Sequence, residues 1–194
     1  MKLTLTLLAC IFPVLTGLAH ASNEVAENRL KASVNQVVTI AKDSKTRDSL
    51  ISAVKPVLEK ILNFEVMTRR SIGPGWKQFT PEQQQEATKL YTTLMLRTYT
   101  AKFTPGELPG VEYKASSSTA PGRVEITTTS LYKGSRYDVI YRMEDQNGSW
   151  TITDVVIDGV SLVQNYRTQF DSEFKQGGVD AVLKALHHAV ADTK

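Results

Sequence analysis

The segment between residues 111 and 158 constrains the fold most, because it reads as a series of short strands joined by turn sequences. The predicted strands are 111–116, 123–132, 136–145 and 149–158. Lys133-Gly134-Ser135 separates the second strand from the third, and Asn147-Gly148 separates the third from the fourth. Asn-Gly is the dipeptide most typical of a two-residue hairpin. Tight turns connect antiparallel neighbours, so the sequence predicts an antiparallel meander of about four strands.

The third and fourth predicted strands indicate which face of the sheet is buried. In the third strand, Tyr137, Val139 and Tyr141 alternate with charged residues, which predicts an apolar inner face and a solvated outer face. In the fourth strand the alternation changes phase near Asp154, beyond which the apolar residues become continuous. A β-bulge near Asp154, or cover on both faces, accounts for this change.

Helical patterns flank the strands on both sides, over residues 24–103 and from residue 160 to the end. Helices that bracket a run of strands are typical of the α+β class. We therefore expect helices packed around a twisted antiparallel sheet.

Several residues predict where these helices begin and end. Thr80, followed by proline and then by Gln83, predicts a capped start to a long helix. The Thr-Pro-Gly sequence at 104–106 predicts the end of that helix. Pro56 lies inside a helical pattern that runs from Leu50 to Leu62, and it predicts a kink or a restart of that helix. The two glycines at 177–178 predict the end of the helix that Ser161 can cap, with a last helix beyond them.

The N-terminus has the pattern of a secretory signal peptide. Lys2 provides a positive charge, residues 3–18 are mostly apolar, and Ala19 and Ala21 are small residues at the two positions that a signal peptidase reads. A membrane anchor would need roughly 20 apolar residues, and here Pro13 interrupts the apolar stretch. We expect residues 1–21 to be removed after Ala21, and the mature protein to lie outside the cytoplasm, in a bacterial periplasm.

Residues 22–194 then form a single domain, which is long enough to bury an apolar core. The chain's only cysteine, Cys10, lies in the predicted signal peptide. The residues around Cys10 have the shape of a lipoprotein site, but too few apolar residues precede it for an h-region. We therefore interpret Cys10 as part of the signal. The mature protein has no disulfide, thiol nucleophile or zinc–thiolate site.

The residue types and their spacing favour a protein without catalytic residues, cofactor or metal. The formal net charge is +3, with acidic and basic residues interspersed, which does not favour a nucleic-acid partner. His187 and His188 are adjacent, so they point about 100° apart on a helix and do not converge on a metal. Asp154 provides one alternative, as the base of a curved-sheet enzyme that acts on a small apolar substrate. A carboxylate near a strand end is more often solvated or bonded to backbone amides.

The inner faces of the predicted helices and strands carry a surplus of apolar and aromatic side chains. A packed core and a lipid pocket use the same residue types, so periodicity alone favours the ordinary packed core.

The stretch from Gly148 to Phe170 resembles the signature of the MlaC family, also called toluene-tolerance proteins. The most specific part is the turn Asp158-Gly159-Val160-Ser161. It is followed by the run Gln164-Asn165-Tyr166-Arg167-Thr168-Gln169-Phe170. Asp158 stands where the family more usually has glutamate. Further similarities are found at 72–76, 80–83, 98–99 and 177–180, so the resemblance extends over nearly all of the mature chain.

This resemblance implies a fold whose twisted sheet and helices enclose a deep apolar cavity for the acyl chains of a phospholipid. It also implies a carrier that performs no chemistry and exchanges lipid with an outer-membrane lipoprotein complex and an inner-membrane ABC transporter complex, which maintains outer-membrane lipid asymmetry. We expect a monomer. The residues expected to contact lipid, from periodicity together with the resemblance, are Tyr99, Phe103, Val139, Tyr141, Val160, Leu162, Val163 and Tyr166. The alternatives are a carrier of another lipid, such as a hopanoid, and a periplasmic interaction protein without a ligand.

Overall fold

The computed structural model describes residues 16–100 and 109–193, with side chains from residue 23 onward. Helices come first, a five-stranded sheet follows, and a long helix comes last. The helices are α1 (Thr16–Asp43), α2 (Arg47–Ile61), α3 (Phe64–Ile72), a short 3-10 helix (Gly73–Gln78), α4 (Pro81–Thr100) and α5 (Leu162–Asp192). The strands are β1 (Gly110–Ala120), β2 (Arg123–Tyr132), β3 (Ser135–Gln146), β4 (Ser149–Ile157) and β5 (Val160–Ser161). Every neighbouring pair is antiparallel, which confirms the α+β class and the meander.

The sheet differs from the prediction at its two edges. Strand β1 continues to Ala120, beyond the predicted end at Ser116, because a tight turn through Gly122 pairs its serine-rich tail with β2. This tail lacks the apolar alternation that identifies a strand in a sequence. Strand β5 is an additional two-residue strand, which forms because Asp158 and Gly159 both adopt positive φ and reverse the chain tightly.

A β-bulge in β4 confirms the predicted change of phase. The register of β4 against β3 shifts between Ile152 and Asp154, which leaves Thr153 without a partner. Because of this extra residue, Ile152 before the bulge and Val155 after it face the same side of the sheet. The bulge therefore keeps one apolar face along the whole strand.

The helix ends agree with the sequence at the start of α4 and at the two glycines inside α5. Thr80 and Gln83 form the predicted capping box, with N···O distances of 2.9 and 3.2 Å. Gly177 and Gly178 leave the helical conformation inside α5, so a helix ends there and another follows at once. Of the kink or restart predicted at Pro56, the restart does not occur, because α2 runs from Arg47 to Ile61 with the proline inside it. Buried residues on both sides of Pro56 hold the helix in place despite the missing backbone hydrogen bond. The predicted helix end at 104–106 lies outside the described residues.

The apolar core consists of separate clusters. The helical cluster joins α3, α4 and α5 around Tyr91 and Phe170. The sheet cluster packs Ala26 and Leu30 of α1 onto one face of the sheet, with Met143 and Trp150 among its members. A smaller cluster joins α1 to α2. Within the part of the chain that the structure describes, no helix has the length and apolarity that a membrane span requires.

Candidate functional site

Three of the predicted lipid contacts lie together on the helical cluster. Tyr99 of α4 and Val163 and Tyr166 of α5 are partly buried and pack against this cluster. The Tyr166 ring lies edge-on to the buried Tyr91 ring, with centroids 5.4 Å apart. Burial raises the pKa of Tyr99 to about 12, and burial also raises the pKa of Tyr166, although a hydrogen bond with Thr98 opposes this shift. These phenols therefore lie in apolar surroundings and stay protonated.

Two more predicted contacts lie on the face of the sheet that α1 covers. Val139 is 7% exposed, and Tyr141 is partly buried against the sheet cluster. Burial raises the pKa of Tyr141 to about 12, with the neighbouring Tyr113 adding to the shift. Since both residues share one face of β3, the structure places a valine and a neutral tyrosine side by side along the same interior surface.

Cross-strand pairing extends this surface into two rows that run across the sheet. The first row consists of Tyr113, Thr128, Val139 and Ile157, which are successive partners on β1 to β4. The second row consists of Ser116, Ile126, Tyr141 and Val155. Directly opposed residues share a face, so each row is continuous. Sequence reasoning missed Tyr113, because its alignment with Val139 depends on a bulge in β1 after Tyr113.

The last three predicted contacts are Leu162, Val160 and Phe103, and the structure describes the first two of them. Leu162 is buried at the start of α5. Val160 is 56% exposed on β5, so it lies at the surface and not in the interior. Phe103 lies outside the described residues. Three of the predicted contacts thus pack on the helical cluster and Tyr141 packs on the sheet cluster, while Leu62 packs against both clusters.

Two hollows on the helical side have volumes of about 390 and 510 Å³. They share Glu59, Glu65 and Thr92, and their other lining residues are mostly polar or charged. None of the predicted lipid contacts in the described part of the chain lines either of them. Neither hollow is therefore the apolar cavity that the sequence analysis expects.

Asp154, the candidate catalytic base, is engaged in a structural junction. Its carboxylate accepts hydrogen bonds from Arg142 Nη1 at 3.0 Å, Ser161 Oγ at 2.6 Å and the Val163 backbone N–H at 3.1 Å. Ser161 Oγ in turn accepts from the Gln164 backbone N–H at 3.0 Å and caps α5. The carboxylate thus joins β3, β5 and the first turn of α5. This arrangement does not favour proton abstraction from a substrate.

The histidines likewise have ordinary surroundings. His187 Nε2 lies 2.8 Å from Glu86 Oε1 in an exposed contact between α5 and α4, and His188 is exposed beside it. Among residues 16–100 and 109–193, no group of three or more histidine, cysteine, aspartate or glutamate side chains has the geometry of a metal site.

The chain is similar to known proteins over most of its length. The family model described as MlaC protein matches residues 31–188. Toluene tolerance protein ttg2D from Pseudomonas putida is 18% identical over 179 residues, which cover 91% of this chain and 83% of that protein. The solved structure of a phospholipid-binding protein from Ralstonia solanacearum, in complex with a phospholipid, has a TM-score of 0.80 and 26% identity. This match covers 87% of this chain and 98% of that one.

Proposed function

The chain belongs to the MlaC family, and from this membership we propose that it is a periplasmic carrier that binds a phospholipid and moves it between the two membranes. The observation that carries the proposal is the likeness, over almost the whole fold, to a protein whose structure contains a bound phospholipid. The proposed partners are an outer-membrane lipoprotein complex and an inner-membrane ABC transporter complex. The proposed role is to maintain outer-membrane lipid asymmetry by transfer, without a chemical step.

The acyl chains are proposed to contact the interior sheet face and the helical residues that lie beyond it. Val139 and Tyr141 support this because they are apolar or neutral and lie side by side on that face. Tyr99, Leu162, Val163 and Tyr166 supply the proposed contacts from the helices. Phe103 stays in the proposal on sequence grounds, and the exposed Val160 is proposed to contact lipid only at the mouth of the pocket.

The physical demand on such a carrier is the replacement of the bilayer interior. Each methylene that leaves an apolar environment for water costs about 0.8 kcal/mol, so an unshielded two-chain lipid loses tens of kcal/mol. A carboxylate or ammonium group in the pocket would add its own desolvation cost. Neutral tyrosines and aliphatic side chains avoid that cost, which is consistent with the chemistry of Val139, Tyr141 and their neighbours.

The proposed location rests on a signal peptide that is cleaved after Ala21. Helix α1 begins at Thr16, so in the uncleaved chain this helix runs across the proposed cleavage point. Cleavage would leave a mature helix that starts near Ser22 and still carries Ala26 and Leu30 to the sheet cluster. The intact mass of protein recovered from the periplasm tests this, because retention of residues 1–21 would contradict the proposal.

Extraction of the natively purified protein with organic solvent, followed by mass spectrometry, tests the function directly. We expect a phospholipid in the extract. A protein that yields no lipid would contradict the carrier function, whereas a hopanoid or another lipid would keep the carrier and change its cargo.

The variant Val139→Glu tests the location of the pocket. We expect it to lose the co-purifying lipid and to keep a folded circular dichroism spectrum. Tyr137→Glu is the matched control, because Tyr137 lies two residues away on the same face but is 39% exposed. Loss of the folded spectrum in Val139→Glu alone would identify Val139 as part of an ordinary core, where a buried charge costs several kcal/mol.

A further inference from the structure

The Tyr113 hydroxyl is a buried polar group. Its oxygen is shielded from solvent and forms no hydrogen bond with the described part of the chain. Burial raises the pKa of Tyr113, and the negative charge of Glu27 adds to the shift, so the phenol remains a neutral donor. A buried hydroxyl without a partner is destabilising, and such groups are rare in folded proteins. Since none of the described residues supplies an acceptor, a bound ligand that offers one would satisfy this donor.

The surroundings of Tyr113 hold its ring in place. Lys31 Nζ of α1 lies 5.0 Å from the centre of the ring, and Lys31 forms an ion pair with Glu27 one turn earlier. Glu27 also accepts a hydrogen bond from Ser116 Oγ of β1 at 3.2 Å. The Tyr113 ring therefore lies between α1 and the edge strand β1. The charge of Lys31 is already balanced by Glu27.

Cross-strand pairing places Tyr113 in the same row as Val139. Tyr113 pairs with Thr128, and Thr128 pairs with Val139. Since neighbouring strands lie about 4.8 Å apart, Tyr113 is about 10 Å from Val139 across the interior face. Thr128 between them is fully buried and donates its own hydroxyl hydrogen to the Val139 carbonyl oxygen at 3.1 Å. In this row the Thr128 hydroxyl is thus paired, whereas the Tyr113 hydroxyl has no partner among the described residues.

Two other buried oxygens lack partners in the described residues, and neither suits the same role. Thr151 Oγ1 belongs to a residue that lines the polar hollow beside α3. Asn23 Oδ1 is an acceptor, and it needs a donor. The ester groups that join the acyl chains of a diacyl lipid to its glycerol offer carbonyl oxygens as acceptors. A donor such as the Tyr113 hydroxyl can bind these oxygens, whereas an acceptor such as Asn23 Oδ1 cannot.

We propose that the Tyr113 hydroxyl donates a hydrogen bond to an ester carbonyl of the bound lipid, and that the protein therefore prefers ester-linked over ether-linked phospholipid. This inference rests on the proposed carrier function. A carbonyl is the acceptor that fits, because it is neutral and can be buried without a counter-ion. A phosphate would bring a charge into a position where Lys31, the cation that lies over the ring, is paired with Glu27.

The test is a competition between dipalmitoyl phosphatidylglycerol and its di-O-hexadecyl ether analogue for delipidated protein, read by native mass spectrometry. The wild type is expected to favour the ester lipid by about fivefold, the ratio for one neutral hydrogen bond. Tyr113→Phe is expected to bring this ratio close to one by weakening the ester complex and leaving the ether complex unchanged. Tyr137→Phe, a matched substitution at an exposed tyrosine of the same sheet, is expected to keep the wild-type ratio.

Thermal unfolding of the delipidated proteins provides a second readout. Because Tyr113→Phe removes an unpaired buried hydroxyl, its Tm is expected to equal or exceed that of the wild type. A lower Tm would show that the hydroxyl has a partner in the free protein and would overturn the inference. An unchanged ester-to-ether ratio in Tyr113→Phe, or an equal loss of both lipids, would overturn it as well. If the wild type binds neither lipid, the carrier function itself fails.

Discussion

The Asp154 carboxylate joins β3, β5 and the start of α5, and its removal is expected to weaken this junction measurably. The side chain is 8% exposed, so the groups that it leaves behind in Asp154→Ala are poorly hydrated. The two lost hydrogen bonds that matter are those from Ser161 and from the Val163 backbone, because Arg142 is 45% exposed and keeps Glu125 as a partner. Two hydrogen bonds to a buried charged acceptor give a loss of about 3 kcal/mol.

For a domain of this size, about 3 kcal/mol corresponds to a fall in Tm of about 6–12 °C. Asp154→Asn keeps an oxygen that can accept from Val163, so a smaller fall of about 2–4 °C is expected. Thermal melts followed by circular dichroism measure both. The matched control is Asp171→Ala, which removes an exposed carboxylate paired with Lys175 on the same helix and is expected to leave Tm unchanged.

A Tm of Asp154→Ala within about 2 °C of the wild-type value would contradict this expectation, because the carboxylate would then contribute less than one such hydrogen bond. The lipid content of the same variants distinguishes a structural role of Asp154 from a catalytic role. Asp154→Asn is expected to retain its co-purifying lipid, which would count against Asp154 as a catalytic base. Loss of a measurable turnover in Asp154→Asn, with lipid content unchanged, would favour the enzyme instead.

Two further predictions concern backbone strain and pH. Gly73 has φ of 72° and ψ of −139°, a conformation that is nearly restricted to glycine, and a Cβ there would also displace the Arg167 guanidinium group, so Gly73→Ala is expected to lower stability by about 2 kcal/mol or more in denaturant titrations. Gly134→Ala, at a glycine of positive φ with open space around it, is the control and should lose less; equal losses would contradict an additional cost at Gly73. Burial raises the pKa of Tyr141 to about 12, above the ordinary value near 10, so the folded protein keeps a proton that the unfolded chain releases. Its contribution to stability is complete below about pH 10 and is lost as the pH rises to 12, and Tyr141→Phe should flatten the Tm profile in that window; an unaltered profile would contradict this.

The local elements were largely predictable because their signals are local. The capping box at Thr80 and Gln83, the turn at Asn147-Gly148 and the bulge near Asp154 depend on residues close together in the chain, and all three occur. Helix α2 does not restart at Pro56, because the packing of the helix outweighs one missing hydrogen bond. Strand β5 was not predicted because two residues are too few to produce an alternation.

The candidate site was predictable only in part. The amphipathic patterns identified Val139 and Tyr141 as interior residues, and the structure places both on the face covered by α1. Val160 has an equally apolar side chain, but the turn before it carries it to an edge strand at the surface. Hydrophobicity alone cannot distinguish these positions, since exposure depends on which element lies opposite.

The order of helices and strands, the antiparallel turns and the apolar face of each strand follow from the sequence alone, because each is a consequence of backbone geometry and side-chain periodicity within a few residues. The tertiary structure decided which distant residues meet. Register across three strands aligned Tyr113 with Val139, and folding of α5 onto β4 gave Asp154 its partners Ser161 and Val163. Such contacts depend on the positions of whole elements in space, which no short segment of sequence specifies.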